Sequence, residues 1–170
     1  MHPEIQDKLF EEIDALESID HETIQDMAYL EAAIHENLRL YPSLIGQERI
    51  CKKDVEVKGI KFKKGMAVKI PIYSAHHNPD FFPEPEVFKP ERFLKENKDE
   101  IIPYTYIAFS GGPRICLGQR FAMVEMKIGI SKILKKFRIE KCPETKLEFL
   151  KGDMFLLNYH DVLLKLVPRD

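Results

Sequence analysis

The sequence predicts an α+β fold that is mainly helical and carries small antiparallel β-sheets. Apolar residues recur at helical spacing in three stretches, over residues 4–16, 27–41 and 117–137. Between the last two, residues 54–72 alternate apolar and polar side chains with a period of two, which is typical of half-buried strands. No repeat, low-complexity tract or linker separates these stretches, so residues 1–170 are predicted to form one unit.

The first two long helices are predicted from their apolar faces and their boundaries. The face of the first helix carries Ile5, Leu9, Ile13 and Leu16. A short helix over residues 21–27, capped by Asp20, is expected after it. Pro42 ends the next helix because proline cannot continue one, and its apolar face carries Met27, Leu30, Ile34, Leu38 and Tyr41.

The alternating stretch predicts one small antiparallel sheet, with turns at Lys58-Gly59 and Lys64-Gly65. A helical turn over residues 73–77 is expected next. Six of the eleven prolines then lie between residues 79 and 115, which favours an ordered coil over a helix. The third long helix follows, to about Phe137. The tail over residues 147–167 alternates weakly and predicts two short strands joined by a turn at residues 158–161.

Composition excludes several classes of function. The net charge of −2 offers no broad basic surface for nucleic acid. No apolar stretch is long enough to span a bilayer. The three cysteines are odd in number and widely spaced, which argues against a disulfide framework, and the absence of CxxC or CxxH spacing argues against a zinc site. Cys51 and Cys142 are interpreted as ordinary small apolar residues.

The segment from Phe109 to Gly118, FSGGPRICLG, is the most informative part of the chain. It places Cys116 where the coil ends and the third long helix begins. Free backbone N–H groups and the positive end of the helix dipole favour a thiolate there, which is the form of cysteine that binds metal. The ordinary alternative is a glycine-rich turn with a buried structural cysteine. A phosphate-binding P-loop is excluded because no Gly-Lys-Ser/Thr follows.

This segment resembles the cysteine loop of the cytochrome P-450 family, which has Phe, Gly, Arg, Cys and Gly in this order and spacing. The matching residues are Phe109, Gly112, Arg114, Cys116 and Gly118. The resemblance implies that Cys116 is the iron ligand of haem b, that Arg114 faces a haem propionate, that Phe109 shields the sulfur, and that the two glycines let the flat cofactor approach. It also implies the C-terminal portion of the P-450 fold, with residues 1–170 as a partial P-450 domain.

Two further motifs stand in the family's order. Glu36-Asn37-Leu38-Arg39 lies on the helix that Pro42 ends, and Pro90-Glu91-Arg92-Phe93 lies in the proline-rich coil. By itself, a Glu and an Arg three residues apart are no more than a surface ion pair. The resemblance implies instead that Glu36, Arg39 and Arg92 form a buried structural network that locks the coil behind the haem.

Other residues take roles from their position relative to these motifs. The resemblance implies that Arg49 contacts a haem propionate, although an exposed arginine at a strand start is an equal alternative. It places a substrate pocket for lipophilic molecules at Ser43, Leu44, Ile45, Gly46 and Gln47, and a second pocket-lining turn at Phe155; both segments could equally be ordinary core. His76 and His77 are adjacent and would chelate one ion poorly, so both are interpreted as structural.

Four lysines lie on or near one side of the third long helix: Lys127, Lys132, Lys135 and Lys136. The simpler interpretation is a solvated helix face. The alternative is a docking surface for an acidic redox partner, which charge would steer.

For the complete protein, the resemblance implies a haem-thiolate monooxygenase of the animal microsomal branch that oxidises drugs and steroids. One atom of O2 would enter a lipophilic substrate such as a xenobiotic, a steroid or a fatty-acid-like molecule, with electrons from NADPH through a reductase. An N-terminal anchor would hold the complete protein on the cytosolic face of the endoplasmic reticulum membrane. Neither that anchor nor the family's oxygen-side helix precedes Met1, so the chain is interpreted as a C-terminal fragment, inactive alone, that carries the iron-ligand side.

Two alternatives remain open. One is a haem-thiolate isomerase or dehydratase that consumes peroxides and needs no reductase. The other is a truncated, non-catalytic chain that binds haem weakly or acts as an interaction fragment.

Overall fold

The computed structural model describes residues 2–148, 156, 157 and 160–169. Within these ranges the α-helices are α1 (Pro3–Asp14), α2 (Ala28–Leu40), α3 (Ile72–His76) and α4 (Gln119–Leu134). The strands are β1 (Gln47–Ile50), β2 (Val55–Val57), β3 (Ile60–Phe62), β4 (Ala67–Ile70), β5 (Phe137–Glu140) and β6 (Lys165–Pro168). The predicted mainly helical α+β class is confirmed.

Helices α1, α2 and α4 enclose the hydrophobic core. Its buried members recur at helical spacing, and they include Ile5, Leu9, Ile13, Leu30, Ile34 and Leu134. Helix α2 is held at its N-terminus by α1, because the carboxylate of Glu12 accepts the N–H groups of Tyr29 and Leu30 at 2.8 Å each. A carboxylate at this end of a helix satisfies free donors and complements the helix dipole. Helix α2 therefore begins at a fixed position relative to α1.

The short strands form three two-stranded antiparallel sheets within the described residues: β1 with β4, β2 with β3, and β5 with β6. The β2–β3 hairpin turns at Lys58 and Gly59, whose φ angles are 49° and 80°. Two consecutive positive φ angles are those of a type I′ turn, whose twist matches that of the flanking strands. The turn predicted from the Lys-Gly pair is confirmed.

Two predictions about the strands and helices were wrong in detail. The stretch over residues 54–72 is not one sheet, because β4 pairs with β1, with Arg49 opposite Val68. A period of two gives the faces of a strand but leaves its partner open. The third helix ends at Leu134, and Phe137 begins β5. Strand β6 pairs with β5, while much of the predicted tail strand before it lies outside the described residues.

Smaller differences concern the boundaries. The helix predicted over residues 21–27 is a 3₁₀ turn at Thr23–Asp26, and the first helix ends at Asp14. Half of the predicted tail turn, residues 158 and 159, lies outside the described residues. No helix among the described residues has both the length and the apolar character needed to cross a membrane.

The start of α4 presents apolar side chains to solvent. Leu117 is fully exposed and Phe121 is 74% exposed, although both continue the apolar spacing of the helix. From Lys127 onward the same helix buries the face that includes Ser131 and Leu134. The first turn of α4 therefore lies outside the core, beside Cys116.

Candidate functional site

The loop before α4 is closed by backbone hydrogen bonds. The N–H of Cys116 donates to the carbonyl of Phe109 at 2.9 Å, and the N–H of Ser110 donates to the carbonyl of Ile107 at 2.9 Å. Between them, Gly112–Arg114 forms a 3₁₀ turn. Gly112 has a φ of 65°, a left-handed conformation that costs little only for glycine. The loop therefore returns on itself and presents Cys116 at its end.

The thiol of Cys116 is exposed at the start of a long helix. Gly118 is the N-terminal capping position of α4, and the N–H of Gln119 donates to the carbonyl of Cys116 at 3.3 Å. A side chain at Gly118 would begin 3.9 Å from the sulfur. The dipole of the 16-residue helix favours an anion at this end.

An open depression of about 580 Å³ lies beside this thiol. It is lined by Ser43, Leu44, Gly46, Gln47, Glu48, Arg49, Ala108, Phe109, Ser110, Arg114 and Cys116. Residues from β1 and the segment before it thus meet the cysteine loop, which lies about 70 positions later in the sequence. Two cations, Arg49 and Arg114, share the depression with the thiol.

Three of the predicted site residues, Gly112, Gly118 and Ile45, do not line this depression. Gly112 lines a neighbouring cavity of about 340 Å³, which Arg49 and Arg114 also line. Gly118 is next to the sulfur, because a side chain there would begin 3.9 Å from it. Ile45 does not line the depression, and its carbonyl accepts the N–H of Tyr73 at 3.0 Å. Phe155 lies outside the described residues, although Leu156, next to it, forms an antiparallel bridge with Leu44.

Strand β1 is linked to the cysteine loop through polar side chains. The Ser110 hydroxyl donates to Gln47 Oε1 at 2.9 Å, and Arg49 Nη2 donates to the same oxygen at 2.8 Å. Arg49 Nη1 also donates to the carbonyl of Glu48 at 2.9 Å. These contacts fix the Arg49 guanidinium at the rim of the depression. The sequence did not predict that Ser110 takes part in the site, because nothing in its local pattern indicates a partner on β1.

Behind the loop, Glu36 and Arg39 form a fully buried, two-pronged ion pair. Arg39 Nε donates to Glu36 Oε2 at 2.8 Å, and Nη2 donates to Oε1 at 2.9 Å. Neither side chain has exposed surface. A buried pair needs its remaining polar atoms satisfied, and Arg39 Nη1 meets this need by donating to the carbonyl of His76 at 2.8 Å.

The proline-rich coil is attached to this pair. Glu36 Oε1 accepts the N–H of Lys89 at 2.9 Å, and Arg39 Nη2 reaches the carbonyl of Val87 at 3.3 Å. Arg92 Nε lies 3.5 Å from Glu36 Oε1, while Arg92 Nη2 donates to the carbonyl of Glu84 at 2.9 Å. The structure thus brings the three predicted network residues together, with Arg92 held by charge more than by a hydrogen bond to the carboxylate.

The comparison with protein families decides the family of the chain. The sequence model of the cytochrome P-450 family matches residues 1–166. The chain belongs to the cytochrome P-450 family. The family implies a haem cofactor.

Known animal relatives cover the whole of this P-450 chain. It is 47% identical to mouse cytochrome P-450 3A16 and 47% identical to mouse cytochrome P-450 3A11, in each case over 99% of the chain and 34% of the relative. It is 46% identical to rat cytochrome P-450 3A1 over the same shares. The predicted family and its animal branch are confirmed, and the chain spans about a third of the length of these relatives.

One prediction about the lysines near α4 was wrong. Lys127 is buried, and its Nζ donates to the carbonyl of Ile24 at 3.2 Å and to the carboxylate of Glu31. It shares its helix face with Ser131 and Leu134, which both point into the core. Lys127 therefore belongs neither to a solvated face nor to a docking surface. Lys132, Lys135 and Lys136 are exposed.

The two adjacent histidines differ in environment. His76 has no exposed surface, and burial lowers its pKa to about 4. His77 is half-buried, stacks on Tyr73 at 4.0 Å between ring centroids, and contacts the Tyr73 carbonyl through Nδ1 at 2.9 Å. The described residues of this P-450 chain contain no cluster of three or more His, Cys, Asp or Glu that could hold a metal ion.

Proposed function

We propose that this chain supplies the thiolate side of a haem monooxygenase, and that residues 1–170 are one part of a single P-450 domain. Cys116 would ligate the iron of haem b. The complete protein would insert one atom of O2 into a lipophilic substrate, with electrons from NADPH through a reductase, at the cytosolic face of the endoplasmic reticulum membrane. The rodent P-450 3A relatives support this assignment, because they resemble the chain over nearly its whole length.

The observation that carries the proposal is the placement of Cys116. Its thiol is exposed, lines an open depression, and lies at the dipole-positive end of α4. The other two cysteines are half-buried and lie on neither the loop nor the helix. Haem-thiolate chemistry needs one anionic sulfur that a flat ligand can reach. Only Cys116 among the three is both exposed and placed at the start of a long helix.

The residues around Cys116 fit a haem. A thiolate is a suitable ligand for iron, and a haem carries two propionates that need cations at its edge. Arg49 and Arg114 line the same depression as the sulfur. Leu44, Ala108 and Phe109 supply apolar surface there. Gly112 and Gly118 add no side chain on the loop, so the donor set and the space available agree with this cofactor.

Each of these residues has a separate part in the proposal. When bound, haem would supply the activation of O2, which no amino-acid side chain provides. Cys116 would hold the iron through its sulfur, at the dipole-positive end of α4. Arg49 and Arg114 would fix the orientation by pairing with the propionates. Phe109 would keep water from the sulfur, which preserves its basicity.

Residues at and just before the start of β1 would form part of the substrate pocket. Ser43, Leu44, Gly46 and Gln47 line the depression that Cys116 also lines, and the bridge from Leu44 to Leu156 brings the tail to the same place. Ile45 and Phe155 are retained as neighbouring pocket residues. An open, mostly apolar surface with a few polar groups suits a lipophilic ligand.

The test uses the full-length protein that contains this chain. We expect wild type to give a thiolate-type band in the reduced carbon-monoxide difference spectrum and the Cys116→Ser variant to lose it. Cys51→Ser and Cys142→Ser are matched controls, because they remove a thiol elsewhere, and both should keep the band. An unchanged spectrum for Cys116→Ser would refute the iron-ligand assignment.

Turnover then separates the alternatives. A monooxygenase consumes NADPH and O2 in a reductase-dependent way and oxidises a lipophilic probe such as a steroid. Reductase-independent turnover of a peroxide would favour the isomerase or dehydratase. A thiolate-type band in the full-length protein, with none in residues 1–170 alone, would favour a fragment that is non-catalytic by itself.

A further inference from the structure

The side chain of His76 connects two parts of the site through its two ring nitrogens. Nδ1 lies 3.1 Å from the carbonyl oxygen of Arg39, and Nε2 accepts the N–H of Ile107 at 3.0 Å. A carbonyl can only accept and an N–H can only donate. The ring is therefore neutral, with its hydrogen on Nδ1. No other tautomer satisfies both partners.

The first partner belongs to the buried ion pair. Arg39 and His76 are bonded reciprocally, because the guanidinium donates to the His76 carbonyl at 2.8 Å while the imidazole donates to the Arg39 carbonyl. Arg39 is the second-last residue of α2, and carbonyls in the last turn of a helix lack partners within it. His76 thus closes the end of α2 and ties α3 to the ion pair.

The second partner, Ile107, is connected to Cys116 by backbone hydrogen bonds within the loop. The carbonyl of Ile107 accepts the N–H of Ser110, and the carbonyl of Phe109 accepts the N–H of Cys116, each at 2.9 Å. Three hydrogen bonds therefore run from the imidazole to the backbone of the cysteine. Packing holds the ring in place, because Tyr106 stacks on it at 5.3 Å and Phe82 meets its edge at 6.2 Å between centroids.

We propose that His76 is a positioning residue that fixes the cysteine loop against α2 by accepting the N–H of Ile107. Its role toward Cys116 rests on the proposed function, because it matters for the haem only if Cys116 holds the iron. The link between His76 and Ile107 itself is a property of this chain and can be measured without haem.

Two substitutions each keep one of the two hydrogen bonds of the ring. In His76→Gln the amide oxygen can occupy the position of Nε2 and still accept the N–H of Ile107. In His76→Asn the shorter amide reaches only the Nδ1 position, so the Arg39 carbonyl keeps its donor and Ile107 loses its acceptor. Both variants are polar and fill less space than histidine. If His76 acted through packing alone, the Ile107 N–H would not be better protected in the glutamine variant than in the asparagine variant. His77→Asn, next along the chain and away from the loop, is the control.

The experiment uses the full-length protein and two readouts. In the haem-free protein we expect amide hydrogen exchange at Ile107 to speed up about tenfold in His76→Asn, the effect of one lost hydrogen bond, and less than about threefold in His76→Gln and His77→Asn. In the haem-loaded protein, the thiolate-type fraction of the carbon-monoxide spectrum should fall in His76→Asn and stay near wild type in the other two.

Equal exchange at Ile107 in the asparagine and glutamine variants would overturn the proposal, as would a loss of the thiolate-type band in both to the same extent. Failure of the proposed function looks different. If the proposed function is wrong, Cys116→Ser keeps the thiolate-type band of the wild type. The hydrogen exchange at Ile107 still shows in that case whether His76 holds the loop.

Discussion

Replacing Glu36 by glutamine tests whether burial makes the ion pair behind the cysteine loop important for stability. The substitution keeps the shape of the side chain and removes its charge. The Arg39 guanidinium would then stay fully buried with no carboxylate beside it. Glu36 Oε1 also accepts the N–H of Lys89, so the attachment of the coil weakens at the same time.

The expected loss is large. Breaking a buried pair by removing one partner costs about 3–5 kcal/mol. A folded domain has a total free energy of unfolding of about 5–15 kcal/mol, so this single change removes a substantial fraction of it. The 2.8 and 2.9 Å bonds and the absence of exposed surface place Glu36 and Arg39 in this class.

A surface pair in the same chain provides a control with a similar contact distance. Asp54 and Lys63 are also 2.8 Å apart, and Asp54 accepts the N–H of Lys64 at 2.9 Å, as Glu36 does that of Lys89. Their side chains are 60% and 73% exposed, so water can replace the lost partner.

The assay is equilibrium urea unfolding of full-length Glu36→Gln and Asp54→Asn, followed by circular dichroism. We expect a large drop in midpoint for Glu36→Gln and little change for Asp54→Asn. Similar losses for the two variants would refute the reasoning that burial makes the Glu36–Arg39 pair important for stability.

Three further predictions follow from single sites. Gly112→Ala should lower the free energy of unfolding by about 1–2 kcal/mol, because φ is 65° at this position and an L-residue is strained there. Gly118→Ala is the control and should cost less, because φ is −86° there. Urea unfolding midpoints of the two variants test this difference. Lys127 should react with an amine-labelling reagent far more slowly than Lys132, because only Lys132 is exposed; equal labelling in a peptide map would contradict its burial. Burial lowers the pKa of His76 from 6.5 to about 4 in the folded state. As the pH falls through this interval, the unfolded chain binds the proton before the folded chain does. The free energy of unfolding should therefore decrease by about 3 kcal/mol in all. Unfolding midpoints at pH 7 and pH 4.5 should differ less in His76→Gln than in wild type, and an equal pH dependence would argue against this origin.

Local patterns predicted the long helices, one tight turn and the family. The apolar spacing of Ile5, Leu9 and Ile13 indicated α1 because residues three and four apart share a helix face. The Lys58-Gly59 turn was predictable because positive φ angles favour glycine. The order of Phe109, Gly112, Arg114, Cys116 and Gly118 indicated the family, because this chemistry needs those residue types within one short loop.

Contacts across the chain were much less predictable. The partner of β4 is β1 rather than a neighbouring hairpin strand, and β5 pairs with a strand about 25 residues later. Lys127 looked like a surface residue by type, but its position on the buried face of α4 and the nearby Glu31 carboxylate decided otherwise. The two hydrogen bonds of His76 join residues 37 and 31 positions away, and no local spacing indicates them.

The sequence by itself therefore determined the long helices, the tight hairpin and the family. Each of these depends on residues a few positions apart, whose relative geometry the backbone limits to a few conformations. The tertiary structure alone decided which strands pair, which lysine is buried, and how α2 is joined to the cysteine loop. These features depend on distant segments meeting in one packed arrangement, and a short sequence pattern does not encode the partner of a donor or an acceptor.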